Sequence, residues 1–68
     1  MTFDDLSRSD IIYLIDEWIR SERDRAILKR RLLDGITYER LAEEFDLSVR
    51  QIKTIVYKSE NRIFTHMH

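Results

Sequence analysis

A chain of 68 residues with no proline and one glycine has few points at which a helix must stop, and its apolar side chains recur every three to four residues, which predicts helices joined by tight turns. Four are expected. Ser7 and Asp10 have the spacing of a capping pair, and Ile11, Ile12, Ile15, Trp18 and Ile19 follow at helical intervals, giving a first helix over residues 8–20 with an acidic outer face. Ser21 caps a second over 22–34, where Glu22 and Asp24 complement the N-terminal dipole and Ala26, Ile27, Leu32 and Leu33 supply burial until Gly35 ends it. Thr37 opens a short helix, Tyr38 to Phe45, that turns Leu41, Ala42 and Phe45 inward. Ser48 and Gln51 repeat the capping-box spacing, and a long helix runs from Val49 to about Phe64. The expected fold is all-α: one small four-helix domain, residues 1–68, containing a helix-turn-helix over 37–64.

Size and composition exclude several functions. A chain this short buries about 60% of its unfolded surface, so its stability is expected at about 5 kcal/mol or less, and a large catalytic cleft is not expected. Without cysteine there is no disulfide, thiolate metal site or thiol nucleophile. His66 and His68 lie two apart with no third ligand, so a frayed tail is the simpler reading than a metal site, and the pairs Asp16-Glu17 and Glu43-Glu44 read as solvated helix faces. No enzyme activity and no cofactor are expected. No apolar run reaches the roughly 18 residues of a membrane span, and the acidic start at Asp4 and Asp5 is unlike a signal peptide; a cytoplasmic protein is the default.

The net charge is −1, but its distribution is uneven. Residues 1–20 set Asp4, Asp5, Asp10, Asp16 and Glu17 against Arg8 and Arg20, whereas residues 48–68 set Arg50, Lys53, Lys58 and Arg62 against Glu60 alone. On a helical wheel the last helix splits. Val49, Ile52, Ile55, Val56, Ser59 and Ile63 share one face; Arg50, Lys53, Thr54, Tyr57, Lys58 and Asn61 share the other. Basic, amide and hydroxyl groups on one face are the inventory that reads base edges and phosphates in a major groove. A short helix, a three-residue turn and a longer basic helix form a helix-turn-helix arrangement, with Ala42 small enough for the two to cross closely and Leu47 filling the turn.

The run AILKRRLLDGITYERLAEEFDLSVRQIKTI, residues 26–55, resembles the C-terminal, minus-35-binding helix-turn-helix region of bacterial sigma factors. In that family an apolar helix ends in glycine, a threonine starts the first motif helix, alanine follows leucine or isoleucine near its centre, and a Leu-Ser turn leads into an Ile-x-x-Ile recognition helix. The resemblance spans roughly Arg23 to Arg62, and response-regulator output domains and small phage regulators share much of the pattern. It implies sequence-specific binding of double-stranded DNA and transcription regulation. Arg50, Gln51, Lys53 and Thr54 fall at base and phosphate contacts, and Lys58 and Arg62 fall where the DNA backbone passes. Two positions depart from the family: Asp46 stands where a glycine is common, and Val49 where a polar residue is. Nothing in the 68 residues corresponds to the family's core-docking and promoter-melting parts, so the resemblance implies a stand-alone bacterial regulator of the phage or mobile-element kind.

Other surfaces carry second readings. The stripe of the first helix serves chiefly as core, the alternative being a homodimer through helix 8–20 or a surface for RNA polymerase. The basic cluster Arg23, Arg25, Lys29, Arg30 and Arg31 is divided between DNA backbone, with Arg30 and Arg31 the nearest candidates, and ion pairing with the first helix. Tyr38 offers its hydroxyl to a phosphate or its ring to Leu41 and Ile36, and Tyr57 is the better contact. The alternative function is a protein-interaction module that docks on RNA polymerase or a sigma factor without reading DNA.

Overall fold

The computed structural model describes residues 6–66. They form four helices and no strand: α1 (Arg8–Trp18), α2 (Glu22–Asp34), α3 (Tyr38–Phe45) and α4 (Val49–His66). The protein is thus a small all-α domain. The starts are where short polar side chains satisfy backbone N–H groups that have no helical partner. Ser7 accepts from the Asp10 N–H at 3.2 Å while Asp10 accepts from the Ser7 N–H, and Ser48 and Gln51 make the same reciprocal box at 3.0 and 2.8 Å. Ser21 and Thr37 cap α2 and α3 through the N–H groups of Asp24 and Arg40.

The ends follow backbone conformation. Gly35 closes α2 in the left-handed region, φ 66°, and the Ile36 N–H reaches back to the Arg30 carbonyl. Asp46 closes α3 at φ 55°, the one non-glycine residue with positive φ among those described. The two sites should respond oppositely. Gly35→Ala meets no neighbouring atom, so its cost is conformational, about 1–2 kcal/mol; Asp46→Gly relieves a comparable strain and should raise the melting temperature by several degrees. Thermal denaturation of both variants checks the pair, and an unchanged melting temperature for Gly35→Ala would contradict the assigned conformation.

α1 is two residues shorter than the apolar period predicts. Ile19 is extended, φ −109° and ψ 116°, although its N–H still bonds the Ile15 carbonyl. Leaving the helix there keeps Ile19 in the core, 5% exposed, and lets Ser21 start α2. α4 runs two residues longer than expected, because His66 does not fray: its ring stacks on Trp18 with centroids 3.8 Å apart and planes 2° off parallel.

The core draws Ile11 and Ile15 from α1, Ile27 and Leu28 from α2, Leu41 and Ala42 from α3, and Ile52, Val56 and Ile63 from α4. α2 packs on all three other helices, so Leu28, outside the predicted burial set, is fully enclosed, while Ala26, Leu32 and Leu33 are half-buried. Phe45, expected inside, is also half-buried. No described helix is long and apolar enough to cross a membrane.

Candidate nucleic-acid interface

Burying Ile52, Val56, Ser59 and Ile63 fixes the rotation of α4. Its outer side then exposes Arg50, Gln51, Lys53, Thr54, Tyr57, Lys58, Asn61 and Arg62. The predicted site residues therefore share a surface, but they fall into two rows. Arg50, Thr54, Lys58 and Arg62 recur every four residues along the edge that adjoins the α1–α2 junction. Two shallow clefts lie along this edge: one lined by Arg23, Leu47, Arg50, Gln51, Thr54 and Ile55, the other by Trp18, Arg20, Ser21, Asp24, Lys58 and Arg62 among others.

The second row faces α3. The Tyr57 ring meets the Tyr38 ring edge-on with centroids 6.3 Å apart, the Lys53 ammonium lies 5.8 Å from the Tyr38 ring centre, and the Arg31 guanidinium lies over the same ring at 4.3 Å. Tyr38 is half-buried, and its hydroxyl pKa is pushed above the usual phenol value, first by desolvation and next by Tyr57, with Arg31 opposing. Tyr38 is thus a buttress holding α4 against α2 and α3. Glu60, the lone acid of α4, is half-buried; burial raises its carboxyl pKa, and the attraction of Arg31 works against that rise.

Gln51 is not a free reader. Its amide oxygen accepts the Ser48 N–H in the cap of α4, so the simultaneous use of oxygen and nitrogen that recognises adenine would break that cap. Val49 is half-buried and packs against the core, which accounts for an apolar residue at this position.

Internal partners sort the cations. Lys29 pairs with Asp16 of α1 at 2.8 Å. Arg30 grips Glu44 of α3 with two nitrogens, one at 3.0 Å; this lowers the Glu44 pKa and raises that of Arg30. Glu44 is therefore more than a solvated acid, and Arg30 ties α2 to α3, a partner other than the first helix. Arg31 donates to the Ile36 carbonyl at 3.0 Å, Arg25 to the Ile19 carbonyl, and Arg23 to Asp24 at 3.2 Å. Arg8 bonds the Leu33 carbonyl and Arg40 lies 3.9 Å from Glu44. Four cations are left with neither an ion pair, a hydrogen bond nor an aromatic partner among the described residues: Arg20, Arg50, Lys58 and Arg62. All four line the two clefts beside one edge of α4.

Sequence reasoning missed Arg20 as a neighbour of this edge; Arg23 it held only as one member of a basic cluster divided between DNA backbone and the first helix. The signal was slight: a chain reversal at Ser21 places basic residues on both sides of it against whatever α2 packs on, and the identity of that partner is a tertiary fact. Among the described residues no group of three or more His, Asp or Glu side chains is placed to hold a metal ion; His68 lies outside them. No protein-family model, curated protein or solved structure matches the chain.

Proposed function

We propose that the protein binds double-stranded DNA in a sequence-specific manner and regulates transcription, with α3, the turn at 46–48 and α4 acting as a sigma-like helix-turn-helix. The observation that carries this reading is the segregation of charge: in a chain of net charge −1, the cations without partners among the described residues collect along one edge of α4. Unneutralised charge on one face is what a polyanion selects. Arg50, at the first turn of α4, pairs with guanine in the major groove, Thr54 and Lys53 contact neighbouring base edges, and Lys58 and Arg62 hold phosphates. Gln51 contributes by capping α4. Arg30 and Arg31 contribute by fixing α2 against α3 and Tyr38.

Lys58→Ala separates the phosphate role from a merely structural one. It should weaken binding to cognate and random duplexes alike and reduce the slope of log affinity against log salt by about one, measured by fluorescence anisotropy across a salt series. A loss confined to the cognate duplex would reassign Lys58 to base reading.

A second reading is favoured by one observation: Ile12 and Tyr13 of α1 are 36% and 64% exposed beside the buried Ile11 and Ile15. This small apolar face suits docking on RNA polymerase or a sigma factor, or a homodimer that sets two α4 helices about 34 Å apart on successive turns of DNA. Binding of purified polymerase that survives high salt and is lost in Ile12→Ser would support docking, because apolar contact is insensitive to screening.

A further inference from the structure

The cleft at the α1–α2 junction brings Arg20, from the link between the first two helices, beside Lys58 and Arg62 of α4. We infer that it is a phosphate seat, which takes a phosphodiester of the strand running alongside the edge of α4; the inference rests on the DNA-binding reading and adds a contact from outside the two motif helices. Three cations without partners among the described residues line one cleft there. The single acid in its lining, Asp24, has its carboxylate engaged by Arg23 at 3.2 Å. Positive groups bordering one cleft raise its potential for an anion, and two guanidinium groups offer the planar, forked donors that match phosphate oxygens.

The arrangement fits a polyanion better than a small ion. Arg50, Lys58 and Arg62 occupy one edge of a continuous helix, so the row spans about 18 Å at 1.5 Å per residue, the form of a chain of phosphates. By helical spacing Glu60, the one acid of α4, falls on the side opposite Lys58, which leaves that row without a carboxylate from its own helix. Trp18, the only tryptophan in the chain, forms a wall of the cleft, and its emission is a built-in reporter of occupancy.

The test uses the full chain and follows both Trp18 emission and the anisotropy of a labelled short duplex over a salt series, for the wild type, Arg20→Ala and Arg20→Lys, with helicity checked by circular dichroism. The expected result is a duplex-dependent change in Trp18 emission, a severalfold weaker duplex affinity for Arg20→Ala with a salt slope lower by about one, and restoration of the slope by Arg20→Lys. Unchanged affinity and slope in folded Arg20→Ala would overturn the seat and leave the role of α4 in place. Inorganic phosphate changing Trp18 emission in the wild type but not in Arg20→Ala, with no duplex bound by either, would keep the seat and overturn both its duplex source and the DNA-binding reading. Polyglutamate displacing the duplex as effectively as unlabelled duplex would overturn the assignment to phosphate, and a wild type that binds neither duplex nor phosphate would overturn both proposals.

Discussion

Leu28→Ala is expected to cost about 2–5 kcal/mol, the range for deleting a fully buried leucine side chain, and so to unfold much of the population at room temperature. The domain's whole margin is about 5 kcal/mol or less. Leu28 is 0% exposed and belongs to a helix that, like α4, packs on all three others, so collapse around the void would require several helices to move together. Leu32→Ala, at a half-buried position on the same helix, should cost clearly less. Urea denaturation followed by circular dichroism compares the two directly. Equal, small losses would mean that α2 is not the central element of the core.

Arg50→Ala is expected to relax specificity at one base pair and to weaken cognate binding by about 1–3 kcal/mol, while random duplexes lose little. The expectation follows from position. Arg50 stands in the first turn of α4, exposed and without a partner among the described residues, so its guanidinium can form two parallel hydrogen bonds to guanine. Equal loss on cognate and random duplexes would refute Arg50 as a reader and leave it a phosphate contact. The contrast with Lys58→Ala, which should weaken all duplexes alike, makes the two variants a matched pair.

The fold was largely legible because its punctuation is local. Ser7, Ser21, Thr37 and Ser48 each act on an N–H three residues ahead, and Gly35 and Asp46 each end a helix through their own φ; such features need no knowledge of distant neighbours. The rotation of α4 was legible for a related reason, since its apolar positions follow one unbroken period. α2 was harder. Apolar residues lie on several of its sides, and only packing against three helices decides that Leu28 is enclosed while Leu32 and Leu33 remain partly open.

The candidate site was legible on α4 and obscure beyond it. Arg30 and Arg31 look as available in the sequence as Arg50, yet Glu44, the Ile36 carbonyl and the Tyr38 ring engage them through tertiary contacts. Gln51 reads in the sequence as both a reader and a cap, and the hydrogen bond to Ser48 shows the cap. Arg20 carried no signal of its own, since its place beside Lys58 and Arg62 depends on the turn between α1 and α2.

The central claim is that the exposed outer face of α4, Arg50 and Lys53 foremost, reads DNA sequence. Selection from a random duplex pool, with the wild type and an Arg50→Ala/Lys53→Ala double variant at two salt concentrations, tests it most directly. Enrichment of one motif by the wild type and its loss in the folded double variant is the predicted result. No enrichment by folded wild type at low salt would contradict the claim and direct attention to Ile12 and Tyr13 as a protein-docking surface.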